Sequence, residues 1–244
     1  MDKFELTFSD EFDTYDTSVW SGHYQWGLLS EARRGGYWNK NLVRAEDGNL
    51  IIPVVYKEHG YGGKGPGWYS AGIDTDTSFS QKYGYFECRC ILPEGADIWS
   101  AFWLMNEGVF NEDGNGRDGT EIDVFESSCF GDKKSNAIST NLHFDGYGDA
   151  HQNMGGKKYL VRGNPYKEFN TYGVEWNENE YIFYINGVET FRTSYGGVSQ
   201  NPEYLILSVE IAGDDGIPQQ RENAFIPELE SDFIIDYVRV YQYK

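Results

Sequence analysis

Three carboxylates lie within one short strand-like segment, residues 121–126, whose sequence is EIDVFE. Side chains of a β-strand alternate between its two faces, so Glu121 and Asp123 share a face while Glu126 should point the other way. A β-bulge, which adds one residue to a strand, would turn Glu126 back toward the other two acids. The spacing therefore predicts a bulged strand with a row of acids suited to acid/base chemistry. A solvated acidic strand is the alternative interpretation.

Two carboxyl groups are what the cleavage of a glycosidic bond requires. One protonates the leaving oxygen, and the second attacks the sugar or activates water. The Cα atoms of Glu121 and Glu126 would stand about 13 Å apart along the strand, and inward-leaning side chains on a curved sheet can close much of that gap. Asp123 between them adds like charge and hydrogen bonding, which orient a nucleophile and raise the pKa of an acid.

The elements that must position these acids are strands. Strand-like runs separated by Gly, Asn, Asp and Pro recur along the chain, whereas long segments of helical periodicity are absent. Asn186-Gly187 predicts a type I′ hairpin turn, and the last strand is expected to pair with an early one and close a two-sheet sandwich. We therefore expect an all-β fold and a single domain over residues 1–244. The clearest predicted strands are residues 49–55, 83–92, 98–105, 121–126, 171–176, 181–185, 204–211 and 233–241.

Aromatic residues make up 17% of the chain, with 19 Tyr and 7 Trp. Their flat apolar faces with polar edges are surfaces on which sugar rings stack. Alternation in residues 98–105 places Trp99 and Trp103 on one face, which we expect to receive the ligand, although core burial is the alternative. In residues 83–92 the polar set that includes Glu87 is expected to line the same concavity. Glycine-rich segments 60–67 and 106–119 are predicted functional loops.

The chain carries 20 basic and 39 acidic residues, a net charge of −19, which disfavours nucleic acid and polyanionic ligands. No apolar run is long enough for a membrane span, and the amino terminus lacks the features of a signal peptide. We expect a monomer that is extracellular after removal of its signal; a cytoplasmic role is the alternative.

Cys88 and Cys90 are predicted to be small buried residues, and a disulfide from Cys129 to either stays open.

The segment 121–126 resembles the E-x-D-x-x-E signature of family 16 glycoside hydrolases, the laminarinase and β-glucanase group. The resemblance implies a β-jelly-roll sandwich of two curved antiparallel sheets, with a sugar cleft on the concave sheet and a retaining, endo-acting mechanism. It implies Glu121 as nucleophile, Glu126 as general acid/base and Asp123 as the assisting carboxylate. Further resembling segments follow in order over nearly the whole chain, at residues 8–12, 47–50, 83–87, 100–105, 171–176, 184–187 and 235–241.

The resemblance also implies residues for binding. Those matching positions that contact sugar are Glu87, Trp99, Trp103 and His143, although a lone histidine is often structural. Tyr147 belongs to a predicted strand and turn that face the cleft, and Trp38 with Tyr37 is expected in the outer subsites.

No cofactor is expected for catalysis. Many family members carry a structural calcium on the convex side, and the matching residues here are Glu11, Gly48 and Asp236. Calcium accepts carboxylate and carbonyl oxygens in flexible numbers, so the set suits it. The alternative is that Asp236 only ends a strand pairing.

Two departures from typical laminarinases leave the substrate open. Residues 117–120 replace a Trp-Pro pair that often precedes the signature, and the loop around Arg33 and Arg34 lacks the usual Asn-Glu pattern. A neutral β-1,3- or mixed-linkage β-1,3-1,4-glucan is the first expectation. An endo-β-galactosidase or agarase-like galactan hydrolase is the second. A non-catalytic lectin or carbohydrate-binding module, or a structural β-sandwich, would be a different class on the same scaffold.

Overall fold

The computed structural model of the protein describes residues 3–22, 32–95, 97–127, 136–213 and 230–244. This part of the chain is all-β, with two short 3₁₀ helices at Lys40–Leu42 and Glu107–Phe110. Neither helix is long and apolar enough to cross a membrane. The strands are β1 Phe4–Asp10, β2 Ala32–Arg33, β3 Gly36–Trp38, β4 Arg44–Glu46, β5 Asn49–Lys57, β6 Gly67–Ser70, β7 Gly72–Asp74, β8 Ser80–Gln81, β9 Gly84–Ile91, β10 Ile98–Met105, β11 Glu121–Glu126, β12 Ala137–Phe144, β13 Gln152–Asn153, β14 Lys157–Leu160, β15 Asn170–Trp176, β16 Tyr181–Ile185, β17 Val188–Thr193, β18 Glu203–Ile211 and β19 Ser231–Tyr243.

The strands form a sandwich of two sheets. The back sheet has the order β17-β16-β15-β9-β19-β5-β6-β3-β2, with β1 on β19 and β4 on β5. The cleft sheet has the order β13-β12-β11-β10-β18-β7, with β14 on β12 and β8 on β18. Pairings are antiparallel except that of β3 with β6. The predicted pairing of the last strand with an early one is confirmed, because β19 pairs with both β1 and β5.

The core lies between the inner faces of the two sheets and fixes the acidic strand from below. Ile122 and Phe125 of β11 point into it, and the ring of Phe125 lies 4.4 Å from that of Tyr172 on β15. Each large apolar side chain buried in this way contributes about 1.5–3 kcal/mol. The polar side chains of β11 therefore point away from the core.

Strand β9 corrects one prediction. Its residues Phe86, Cys88 and Cys90 are buried in the core, as the alternation predicted, but β9 lies in the back sheet between β15 and β19. Glu87 consequently faces away from the cleft sheet, where it accepts hydrogen bonds from the hydroxyls of Tyr85 and Tyr237, both at 2.8 Å. The prediction that Glu87 contacts the substrate is wrong.

Local turn and cysteine predictions agree with the structure. Asn186 and Gly187 join β16 to β17 with φ of 51° and 72°, the positive values that a type I′ turn requires. Cys88 and Cys90 are free and buried, as predicted. Cys129 lies outside the described residues.

A buried acid at the start of β18 makes stability depend on pH. Glu203 is fully buried, its Oε1 accepts a hydrogen bond of 3.3 Å from the Thr120 amide, and burial raises its pKa to about 8. The folded protein therefore keeps this carboxyl neutral, while the unfolded chain ionises it above about pH 4.5. Its contribution to stability is full below that pH and is lost as the pH rises toward 8.

Glu203→Gln keeps the acceptor oxygen and cannot ionise. We expect this variant to raise the free energy of unfolding at pH 8 by about 1 to 4 kcal/mol relative to the parent, with little change at pH 5. Urea unfolding at both pH values measures the difference, with exposed Glu5→Gln as the matched control. An effect no larger at pH 8 than at pH 5 would contradict the assignment.

Candidate active site

The predicted β-bulge is present in β11. Asp123 and Glu126 are three residues apart, but their partners on β12, Asn141 and Ser139, are only two apart. One extra residue of β11 is therefore accommodated between the two acids, and both intervening side chains are buried in the core. This insertion returns Glu126 to the face that carries Glu121 and Asp123, so the misfit in the spacing is resolved as expected.

A cavity of about 850 Å³ lies over this face of the cleft sheet. Adjacent strands supply its floor, since Trp99 and Trp103 come from β10, the three acids from β11 and His143 from β12. Tyr147 lines it from the segment between β12 and β13. The predicted site residues that line it are Trp99, Trp103, Glu121, Asp123, Glu126, His143 and Tyr147.

Glu121 and Asp123 are tied to their surroundings by polar contacts. The hydroxyl of Tyr147 donates to Oε2 of Glu121. His143 pairs with Glu121 in the register of β11 and β12, and its Nε2 lies 3.3 Å from Oδ2 of Asp123 and 3.8 Å from Oε1 of Glu121. These contacts restrict the orientation of both carboxyl groups.

The electrostatics of the row favour protons on some of the acids near neutral pH. Burial, followed by the charge of Asp123, raises the pKa of Glu121 to about 7. Burial raises the pKa of Asp123 to about 8. Burial and then the charges of Asp123 and Glu121 raise the pKa of Glu126 well above its usual value. The arrangement therefore suits one ionised carboxylate, Glu121, beside a protonated acid, Glu126.

Glu121, Asp123 and His143 also place three potential cation-binding atoms within 4.8 Å of one another. The Nε2 atom of His143 is already engaged, because the side-chain amide of Asn141 lies 2.8 Å from it. Since hydrogen bonding and proton transfer account for these contacts, we assign no metal here.

One end of the cavity carries a basic cluster that was not predicted. Nη2 of Arg33 lies 2.7 Å from Oε1 of Glu210, and Nε of Arg34 bonds to the other oxygen of the same carboxylate. The guanidinium of Arg34 also lies over the ring of Trp99 at 4.9 Å. Both guanidinium groups thus contact the same carboxylate. The local signal in the sequence was the neighbouring pair Arg33-Arg34, whereas the pairing that places Glu210 of β18 opposite Trp99 is visible only in the fold.

The prediction for Trp38 is wrong. This side chain is buried, its Nε1 donates to the carbonyl of Val209 at 2.7 Å, and it packs in a cluster with Ala101 and Trp103. It supports the floor of the cavity without lining it. Tyr37 is likewise absent from the lining and packs on Tyr69, with ring centroids 4.8 Å apart.

The opposite end of the cavity contains Phe110 and His151, which the prediction missed. Phe110 ends the second 3₁₀ helix, is 41% exposed, and its ring lies 5.7 Å from that of Tyr147. Both lie in segments without regular periodicity. The glycine-rich composition of residues 106–119 was the one local signal for Phe110.

Calcium at Glu11, Gly48 and Asp236 stays a prediction. Both carboxylates are already neutralised, since Arg239 donates two hydrogen bonds to Glu11, at 2.8 and 2.7 Å, and Arg89 bonds to Asp236. The residues fit the ion poorly in this arrangement, because calcium would have to displace both guanidinium groups. Thermal unfolding with calcium and with a chelator tests the site directly.

Comparison with known proteins identifies the family of this chain. The family model described as "Beta-porphyranase A-D, GH16 domain" matches residues 4–243. Endo-1,3-1,4-beta-glycanase ExsH of Rhizobium meliloti (strain 1021) is 26% identical over 96% of this chain and 51% of its own length. Keratan-sulfate endo-1,4-beta-galactosidase of Sphingobacterium multivorum is 28% identical over 98% of this chain and 55% of its own. The chain thus spans about half the length of these curated relatives.

Among solved structures, the catalytic domain of an endo-1,3-beta-glucanase (laminarinase) from Thermotoga petrophila RKU-1 superposes with a TM-score of 0.74 at 25% identity. The match covers 99% of this chain and 98% of that one. The two-sheet sandwich described above is therefore the jelly-roll fold of that enzyme.

Proposed function

The chain belongs to glycoside hydrolase family 16, and on that basis we propose that it hydrolyses internal β-glycosidic bonds of a polysaccharide with retention of configuration. The observation that carries this proposal is the bulged row of Glu121, Asp123 and Glu126 on the floor of a cavity that also contains Trp99 and Trp103. A sugar-binding module needs the tryptophans alone. The row of acids with raised pKa values favours catalysis over binding.

In the proposed reaction Glu121 is ionised and attacks the anomeric carbon, while Glu126 gives its proton to the departing glycosidic oxygen. The bond to that oxygen breaks and a covalent glycosyl ester forms on Glu121. Glu126, now ionised, takes a proton from water, and the resulting attack on the anomeric carbon releases Glu121. The hydroxyl of Tyr147 holds the Glu121 carboxylate in place, and Asp123 stands between the two glutamates.

Our first candidate substrate is a neutral β-1,3- or mixed-linkage β-1,3-1,4-glucan. Two observations support it: the tryptophans of the cavity, which offer stacking faces for uncharged sugar rings, and the net charge of −19, which opposes the approach of polyanions. Relatives named as endo-1,3-1,4-beta-glycanases agree with it. We also propose an extracellular location, since a polymer of this kind is met outside the cell.

A sulfated galactan is the second candidate, and the basic cluster favours it. Arg33 and Arg34 both bond to the carboxylate of Glu210, which places two guanidinium groups at one end of the cavity of an acidic protein. Guanidinium groups suit the planar, multidentate recognition of oxyanions. The porphyranase family model and the keratan-sulfate relative agree with this choice.

A panel digestion separates these candidates. Laminarin, lichenan, agarose, porphyran and keratan sulfate are incubated with the protein and with Arg34→Gln, and the products are read by chromatography. We expect oligosaccharides from the glucans, with less than a threefold effect of Arg34→Gln. Cleavage of the sulfated polymers alone, lost by about 100-fold in Arg34→Gln, would replace the first candidate by the second. Tight binding without any new reducing ends would overturn the enzyme assignment.

The pH profile of kcat/KM offers a further prediction. Because Glu121 must be ionised and burial raises its pKa to about 7, we expect the acid limb near that value instead of the usual range of a carboxyl group. On the alkaline side activity falls as Asp123 and Glu126 lose protons. Initial rates from pH 4 to 10, with circular dichroism at each pH to monitor folding, test this. An acid limb below about pH 5 would contradict it.

A further inference from the structure

His143 and His151 form a pair of imidazole rings in the cavity. Their planes differ by 1°, their centroids are 5.0 Å apart, and Nδ1 of His143 lies 2.8 Å from Nε2 of His151. Parallel planes cannot be farther apart than the closest atoms they contain, so these rings meet edge to edge instead of stacking. An N–H···N hydrogen bond therefore lies in the plane of both rings, and one of the two facing nitrogens carries its proton.

Neighbouring groups decide which nitrogen that is. The backbone N–H of Gly156 donates to Oδ1 of Asn141 at 3.2 Å, which leaves Nδ2 of the same amide 2.8 Å from Nε2 of His143. An amide nitrogen only donates, so Nε2 of His143 accepts. A neutral imidazole that accepts at Nε2 carries its proton on Nδ1. His143 therefore donates to His151, whose neutral form is favoured because burial and His143 lower its pKa.

This order of donors has a consequence for Asp123. Its Oδ2 lies 3.3 Å from Nε2 of His143, and within the described residues that buried oxygen has no hydrogen-bond donor. An ionised carboxylate would face the lone pair of Nε2 at this contact. A protonated carboxyl puts no negative charge against that lone pair, which already accepts from Asn141, and burial that raises the pKa of Asp123 to about 8 favours the protonated form.

We propose that His151 is a positioning residue that, together with Asn141, holds His143 in the Nδ1–H tautomer, so that no N–H of His143 faces Asp123 to stabilise its ionised form. Asp123 then stays neutral between Glu121 and Glu126, and Glu121 remains the carboxylate that ionises first. The inference rests on the proposed function. The other titratable or charged groups that line the cavity are Glu121, Glu126, Tyr147, Lys158, Glu210, Arg33 and Arg34.

Two substitutions at His151 test the proposal. His151→Phe keeps a planar ring without an acceptor, whereas His151→Gln offers an amide oxygen to the same N–H. Without an acceptor for Nδ1–H, His143 shifts to the Nε2–H tautomer as the Asn141 amide turns its oxygen toward Nε2. The new N–H stabilises ionised Asp123, which then disfavours ionisation of Glu121. We expect His151→Phe to lower kcat at pH 7 about tenfold, to leave KM within about twofold, and to move the acid limb of the pH profile upward.

His151→Gln should restore kcat to within about threefold of the parent. In an Asp123→Asn background, where ionisation is abolished, His151→Phe should lower kcat no further, as a double-mutant cycle measures. Equal losses in the Phe and Gln variants, or a fall in kcat with an unchanged pH profile, would overturn the positioning role.

Nitrogen-15 NMR of labelled histidines reads the tautomers without any substrate. We expect the Nδ1–H form of His143 in the parent and the Nε2–H form in His151→Phe. A parent spectrum with the proton on Nε2, or on both nitrogens, overturns the inference even if the protein is an active hydrolase. If the parent shows Nδ1–H but cleaves no polysaccharide, the proposed function fails and the catalytic role of the pair fails with it.

Discussion

Replacing Glu121 by glutamine is expected to lower kcat on the preferred polysaccharide by about 10⁵-fold. The amide cannot form the glycosyl ester, and Glu121 is the carboxyl to which the Tyr147 hydroxyl donates. The hydroxyl of Tyr147 can still donate to the amide oxygen. Removing a buried acid whose pKa is raised by burial also leaves no uncompensated charge, so the melting temperature should not fall.

Glu5→Gln, an exposed change on β1, serves as the matched control and should retain full activity. Initial rates of reducing-end release and thermal unfolding are measured on both variants. Residual activity above about 1% in Glu121→Gln, with unchanged melting, would exclude Glu121 as the nucleophile.

Replacing Glu126 by alanine has the second largest expected effect, a fall in kcat of about 10³-fold on polysaccharide, because proton donation to the leaving oxygen is lost. An aryl oligosaccharide with an acidic phenol leaves without that proton, so the first step survives and the glycosyl ester accumulates. Azide needs no general base and should enter the space that the side chain vacates. We therefore expect azide to restore turnover and to yield the β-glycosyl azide.

The same experiment on Glu121→Ala separates the roles of the two glutamates. Azide would there attack the substrate directly from the face that Glu121 occupied, so the α-glycosyl azide is expected. NMR of the isolated products gives the anomeric configuration. An α-azide from the Glu126 variant would exchange the two assignments.

The central strand was predictable because its features are local. The spacing of Glu121, Asp123 and Glu126 conflicts with simple alternation, and a bulge is the local way to keep three polar side chains on one face while two apolar neighbours enter the core. The Asn186-Gly187 turn is local in the same sense, since its residue types favour positive φ.

Glu87 shows what a local sequence pattern does not predict. Alternation separates the two faces of β9 correctly, but it does not say in which sheet the strand lies. That depends on pairing with β15 and β19, strands that are distant in sequence and set by long-range packing. A polar outer face looks the same on the back sheet as on the cleft sheet, so Glu87 was placed in the wrong layer.

The missed residues of the cavity have a related cause. Arg33 and Arg34 come from a short edge strand and the turn after it, Phe110 from a 3₁₀ helix, and His151 from the segment before β13. None of these segments has a period that fixes the direction of a side chain. The tertiary fold brings them to the same cavity, and their contacts with Glu210, Tyr147 and His143 become visible only there.

Trapping the covalent intermediate tests the central claim most directly. Glu126→Ala is incubated with an aryl oligosaccharide, quenched in acid, digested with trypsin and analysed by mass spectrometry. Cleavage after Arg117 and Lys133 gives one peptide that contains Glu121, Asp123 and the substituted position 126, and fragment ions distinguish the two remaining acids of the row. We predict the mass of one oligosaccharyl group, the substrate without its phenol, on Glu121. A label on Asp123, or no label together with a product of inverted configuration, would contradict the account.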